Sequence, residues 1–168
     1  MIALIPGSYD PITLGHVNII ERAASKFEKV VVAVMNNDSA NHDKTLSSKT
    51  YMFDMEKRLE IVRLSTAHIS NVEAISSSGM LIDLFDELGA DVIVKGIRTD
   101  KDLEYELIHA KWNKAHNDRI ETLFLPADDS LVTVSSTFVR ERLMCGEYDK
   151  LDGVLSKRVI DHLKNNAQ

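Results

Sequence analysis

The sequence predicts an α/β domain, a Rossmann-like, doubly wound, five-stranded parallel sheet with helices on both faces. Three observations carry that expectation. Short apolar runs alternate with segments of helical periodicity from one end of the chain to the other. The run Val30-Val31-Val32-Ala33-Val34 is β-branched and unbroken, as in a strand buried on both faces of a parallel sheet. The residues best suited to chemistry fall just after strands, where sheets of this kind bind ligands.

Residues 2–6 form a short apolar run that ends at Pro6-Gly7, a strand followed by a turn. Val17, Ile20, Ala24 and Phe27 recur at helical spacing, so a helix is expected over residues 15–27. The valine run is the second strand. Met52, Met55, Leu59 and Val62 mark the next helix, and Val72 to Ile75 a third strand. Leu81, Leu84, Phe85 and Leu88 lie on a helix that Gly89 ends as a C-cap. Residues 92–94 read as a strand, 103–112 as a helix and 122–125 as the last strand. One helix opens after Val134-Ser135-Ser136, and another carries Leu155, Val159, Ile160 and Leu163. Such alternation implies crossover connections and a parallel sheet. Residues 36–50 (NNDSANHDKTLSSKT) are polar and aperiodic, a loop long enough to be either functional or disordered.

At 168 residues the chain fits one domain, residues 1–168, at the usual ~100–200 residues each. With 44% hydrophobic and 27% charged residues, it can bury a core. No stretch approaches the ~18 consecutive apolar residues of a membrane span. Met1-Ile2-Ala3-Leu4-Ile5 has neither the basic flank nor the cleavage site of a signal peptide. The single cysteine, Cys145, has no partner for an internal disulfide, which points to a reducing, cytoplasmic setting. A net charge of −6 argues against nucleic acid as the main ligand but leaves a small anion open.

Three stretches carry chemistry. In Pro6-Gly7-Ser8-Tyr9-Asp10-Pro11-Ile12-Thr13-Leu14-Gly15-His16, a tight connection leads from strand to helix. Gly7 permits close backbone approach to a ligand, and His16 lies in a first helical turn, where free N–H groups favour a phosphate. Lys95-Gly96-Ile97-Arg98 places a cation at each end of a glycine-containing turn, followed by the carboxylates of Asp102-Leu103-Glu104-Tyr105-Glu106. Leu131-Val132-Thr133-Val134-Ser135-Ser136-Thr137 precedes Val139-Arg140 and opens a helix with hydroxyls, which can hold an anion or simply cap the helix. Other constellations fail: no nucleophile elbow is present, no G-x-G-x-x-G occurs, and His42, His68, His109, His116 and His162 lack metal-ligand spacing.

Thr13-x-Gly15-His16 resembles the T-x-G-H signature of the nucleotidyltransferase superfamily. Its Gly-Ser-Tyr-Asp-Pro-Ile-Thr context resembles phosphopantetheine adenylyltransferases in particular. The second stretch is similar to that family's R-G-[LI]-R and D-[FY]-E-Y-E, with Lys95 for an arginine and Leu103 for an aromatic. Lysine keeps the charge but loses the bidentate fork. The third is similar to I-S-S-[ST], with Leu131 where tryptophan is frequent.

The resemblance implies ATP and 4′-phosphopantetheine as partners, Mg²⁺ as cofactor, a homohexamer, and coenzyme A as a feedback ligand. It implies His16, Arg98 and a lysine as catalytic residues. Lys49, in Lys49-Thr50-Tyr51-Met52-Phe53, fits the K-x-x-[LM]-F context, with Lys44 as competitor. On the ATP side it implies Ser8, Tyr9, His16, Gly96, Ile97, Arg98, Glu106, Leu131, Val132, Thr133, Val134, Ser135, Ser136 and Thr137. On the acceptor side it implies Ser8, Lys49, Leu81 and Lys95. Asn113 matches a family asparagine to which no role is assigned. Two rivals stand beside this reading: a sister transferase acting on nicotinate mononucleotide or glycerol phosphate, and a non-catalytic nucleotide-binding regulator.

Overall fold

The computed structural model describes residues 1–36 and 50–166. Strands β1 (Ile2–Gly7), β2 (Lys29–Met35), β3 (Val72–Ser77), β4 (Val92–Ile97) and β5 (Thr122–Pro126) form a single sheet. They alternate with helices α1 (Leu14–Ala24), α2 (Met55–Thr66), α3 (Leu81–Glu87) and α4 (Asp100–His116); α5 (Ser136–Met144) and α6 (Lys157–Asn165) close the chain. Every pairing is parallel and the order is β3-β2-β1-β4-β5, the doubly wound arrangement expected.

Side chains alternate across the sheet, and each face gathers its own core. Ala3, Ile5, Val30, Val32, Val34, Val92 and Val94 pack with apolar residues of α1, α2, α5 and α6. Leu4, Val31, Ala33, Met35 and Ile93 face the opposite way, onto Leu84 and Phe85 of α3 and onto Ile120. Strand β2 is therefore apolar at successive positions because both of its faces are covered.

Order reverses between β1 and β4, and there the two strands part. The β1–β2 ladder runs on to Gly7↔Val34, whereas the β1–β4 ladder stops at Leu4↔Ile93. Proline is the reason. Asp91 N–H donates to Ile2 O at 2.9 Å, so Ile2, Leu4 and Pro6 direct their backbone polar groups toward β4. The next rung would need an amide hydrogen from Pro6, which has none. Beyond that point β4 pairs only with β5, through Lys95↔Phe124, Gly96↔Leu125 and Ile97↔Pro126. The result is a crevice at the carboxyl ends of the central strands.

Boundaries differ from the sequence reading in ways that matter. Lys95, Gly96 and Ile97 belong to β4 rather than to a turn after it, and Pro6-Gly7 end β1 rather than follow it. Met52 lies outside α2, which starts at Met55 because Asp54 caps it, accepting the Lys57 N–H at 2.7 Å. Phe27 falls beyond α1. The fourth helix is longer than periodicity suggested, because Thr99 accepts the Asp102 N–H and moves its start to Asp100. Gly89, at φ +59, ends α3 as expected. No helix among the described residues is long and apolar enough to cross a membrane.

Ile93 is fully buried in the centre of the sheet. Urea unfolding of Ile93→Val should show a loss of about 0.5–1.5 kcal/mol, and Ile93→Ala about 2–5 kcal/mol. Losses near zero for both would mean that β4 is not a central strand.

Candidate active site

A cleft of about 390 Å³ opens where β1 and β4 separate. Its walls come from three distant parts of the chain: Gly7 to Tyr9 with Thr13 and His16, Lys95 with Gly96 and Arg98, and Leu131 with residues 134–137. A smaller, adjoining pocket of about 90 Å³ shares Pro6, Gly7, Lys95, Tyr105 and Glu106 with it.

The first wall is pinned by a buried tyrosine. Tyr9 adopts φ +45, is 4% exposed, and donates its hydroxyl to Ile5 O at 3.0 Å. Burial pushes its phenol well above the ordinary range, so it stays a neutral donor. The ring lies across Gly7, where an added Cβ would sit 2.8 Å from a ring carbon. The edge of the same ring meets the His16 imidazole at 5.3 Å between centroids.

His16 occupies the third position of α1, and its side chain turns back to the cap. Thr13 N–H donates to His16 Nδ1 at 3.1 Å, with Thr13 Oγ1 2.9 Å from the same atom. Nδ1 is therefore an acceptor, and the proton of the neutral ring sits on Nε2. The helix-capping contact thus sets the tautomer of the residue that lines the cleft.

The second wall holds charges in pairs. Arg98 Nε donates to Asp102 Oδ2 at 3.0 Å, in the first turn of α4. Lys95 Nζ lies 3.2 Å from Glu106 Oε2, both about one-fifth exposed, where the two cavities meet. Gly96 is required by packing: an added Cβ would lie 2.9 Å from Ile19 Cγ1 on α1.

In the third wall, Ser135 caps α5 by accepting the Phe138 N–H at 3.2 Å, and the Ser136 hydroxyl donates to Pro11 O at 2.8 Å. Arg140, one turn later, donates to Asp10 O at 2.6 Å and to Thr137 Oγ1 at 3.0 Å. The segment therefore caps α5, and Leu131 with residues 134–137 also lines the cleft.

Not every expected residue reaches the cleft. Ile97, Val132 and Thr133 do not line it. The 3-10 turn Asp129–Leu131 and the Val134 N–H to Leu131 O bond at 3.1 Å turn residues 131 and 134 inward and leave the two between them outside. Leu81 lies instead in the smaller pocket, with Met80, His109, Trp112 and Asn113. Lys49 and Lys44 fall outside the described residues. Sequence reasoning gave no role to Tyr105 or Arg140, which line the cleft. Helical spacing carried the signal: Arg140 stands four residues from Ser136, and Tyr105 three from Asp102.

Comparison with known proteins matches this arrangement. A cytidylyltransferase-like family model covers residues 4–142. A phosphopantetheine adenylyltransferase from Rhizorhabdus wittichii is 39% identical over 158 residues, 94% of this chain and 89% of that one. Another from Staphylococcus haemolyticus is 38% identical over 139 residues, 83% and 81% of the respective chains. This chain belongs to the phosphopantetheine adenylyltransferase family.

Solved structures show how widely the fold of this adenylyltransferase family is shared. A Vibrio parahaemolyticus protein described as a nicotinate-nucleotide adenylyltransferase superposes with a TM-score of 0.70, at 19% identity over 98% of this chain and 91% of that one. A lipopolysaccharide core biosynthesis protein from Thermoplasma volcanium gives 0.52, at 21% identity over 76% and 96%. At such identities the likeness concerns architecture alone.

The wall geometry sets an order of stability. Tyr9→Phe removes one buried hydrogen bond and should cost about 1 kcal/mol, while Gly7→Ala must displace the whole ring and should cost more. Chemical denaturation that ranks Gly7→Ala as the milder change would contradict the packing of Tyr9 across Gly7.

Proposed function

We propose that this enzyme transfers the adenylyl group of ATP to 4′-phosphopantetheine, giving dephospho-coenzyme A and pyrophosphate. The carrying observation is the convergence of three separated family motifs on one cleft at the sheet's switch point. An oxygen of the acceptor phosphate attacks the α-phosphorus in line. The bond from that phosphorus to the bridging oxygen breaks, and pyrophosphate leaves with the electron pair. A phosphate is already a competent nucleophile, so no covalent enzyme intermediate is needed. Catalysis comes from holding two polyanions in register and neutralising charge as it shifts.

In this reading His16, through Nε2–H, and Arg98 hold the ATP phosphates, with amides of the Gly7-Ser8-Tyr9 turn and of the α5 N-terminus around them. The Ser8 hydroxyl lies between nucleotide and acceptor, Lys95 meets the acceptor phosphate, and Lys49 bridges the reacting groups. The smaller pocket beside Leu81, which is mostly apolar, takes the acceptor's arm. Mg²⁺ brought in with ATP would neutralise phosphate charge, and Asp102 and Glu106, each paired with a cation, would not be needed to cage it. Assembly as a homohexamer, residence in the cytoplasm and feedback binding of coenzyme A complete the proposal. Exposed Leu107, Ile108 and Leu123 suit self-association.

Pyrophosphate release with ATP and 4′-phosphopantetheine tests the reaction directly. A panel including nicotinate mononucleotide and glycerol phosphate should give no comparable rate, and ATP binding without turnover of any acceptor would favour the regulator instead. His16→Ala should lower kcat on the order of 10²–10³-fold with the fold intact, the cost of one transition-state donor. An unchanged kcat would remove His16 from the mechanism. Lys49→Ala should lower kcat/KM more than Lys44→Ala; the reverse ranking would assign the role to Lys44.

A further inference from the structure

One buried cation has no part in the reaction as drawn. Arg58, on α2, is 1% exposed and forms no ion pair among the described residues. Its guanidinium instead gathers neutral oxygens. Nη1 donates to Ser8 O at 2.8 Å, Nη2 to Asn36 Oδ1 at 2.6 Å, and Nε to Asp54 O at 3.4 Å. The Tyr51 ring centroid is 4.2 Å from its central carbon. Burying a charge without a counter-charge is costly, and an apolar side chain would fill the same space more cheaply. The arginine must therefore serve something that an apolar residue cannot.

The bond to Ser8 O supplies the reason. A peptide unit is planar and trans, so its C=O and N–H point in opposite directions. With Ser8 O drawn toward Arg58, the Tyr9 N–H of the same peptide faces away from α2. Ser8 and Tyr9 both line the cleft, and no described residue accepts the Tyr9 N–H. Tyr9 also holds the left-handed φ of +45, a conformation that persists in a non-glycine residue only where its surroundings enforce it. The Tyr9 ring is held on one side by Ile5 O and Gly7; Arg58 holds the peptide on the other.

We propose that Arg58 is a positioning residue: it clamps the Ser8–Tyr9 peptide so that the Tyr9 N–H is aimed at the nucleotide's phosphates. This deepens the adenylyl-transfer reading and rests on it for the identity of the ligand. Arg58 touches no substrate. It acts through the peptide, and its bond to Asn36, in the wall of the smaller pocket, ties that wall to the same clamp.

The test compares affinities for ATP and adenosine by calorimetry in the wild type, Arg58→Met, Arg58→Lys and Arg63→Met. Arg63 also reaches from α2 to a carbonyl, Ala74 O, but stands outside the cleft, so it reports a purely structural loss. Arg58→Met should weaken ATP about 10- to 100-fold, the worth of one misaimed donor to a charged group, while adenosine binding stays within about twofold. Arg58→Lys, which keeps the charge without the fork, should recover only part of the ATP affinity and should serve in place of Arg58→Met if the latter does not fold. Arg63→Met should leave the ATP-to-adenosine ratio at the wild-type value. An unchanged ratio in a folded Arg58 variant, or equal losses for ATP and adenosine, would overturn the proposal. Because this ratio needs no acceptor, it is separable from the functional reading. Wild-type enzyme that binds ATP but releases no pyrophosphate with 4′-phosphopantetheine sinks that reading alone.

Discussion

Two neighbouring strands that pair at one end and separate at the other create the space on which everything else in this molecule depends. Parallel strands tend to stay paired along their common length, because each unpaired amide and carbonyl forfeits a hydrogen bond. At the centre of this sheet the pairing of β1 and β4 ends at Leu4 and Ile93, where proline has no hydrogen to offer the next rung. The outer ladders continue on both sides, so the two strands are held firmly while the gap between them stays open. A ligand in that gap meets rigid backbone from two strands and the amino end of α1, with α5 closing the far side.

Around the opening, polar groups are arranged before any ligand arrives. The Asp10 carboxylate, almost fully buried, accepts the amides of Met52 at 2.9 Å and Phe53 at 3.0 Å, while its backbone oxygen takes Arg140. Three chain segments thereby meet at one residue of the first motif. Lys95 with Glu106 and Arg98 with Asp102 form pairs that keep their cations in place without leaving them unbalanced in the absence of substrate. On the proposed reading, those cations exchange a carboxylate for a ligand oxygen when phosphates enter. Such preorganisation lets a protein of net charge −6 accommodate two polyanions: the global charge is acidic, but the local donors are fixed and partly desolvated.

Much of this could be read from the chain itself. Alternating apolar periods exposed the strand and helix order because each element buries a face. Ser8, His16 and Arg98 were legible because their motifs follow or end strands in a sheet that binds at those ends. Arg58 was not. On a helix that also carries Lys57 and Arg63 an arginine reads as solvent-facing, and only neighbours contributed by the turn after β1 and by the N-cap of α2 decide that it is buried. Lys95-Gly96 looked like a turn because a lysine and a glycine weaken any strand signal; β5 alone keeps them paired. Val132 and Thr133 share a motif with residues that line the cleft, but the turn closed by the Val134 N–H to Leu131 O bond leaves them out of it, and local hydrogen bonding of that kind leaves little mark on composition.

The central claim is that segments distant in sequence act as one binding surface between β1 and β4. Backbone amide chemical shifts of the labelled protein, followed as ATP is added, address it most directly. Gly7 to Tyr9, Gly96 to Arg98 and Ser135 to Thr137 should move together along a single binding curve, while amides of β3 and α6 stay still. Shifts confined to one of those three groups, or centred on another face of the sheet, would contradict it.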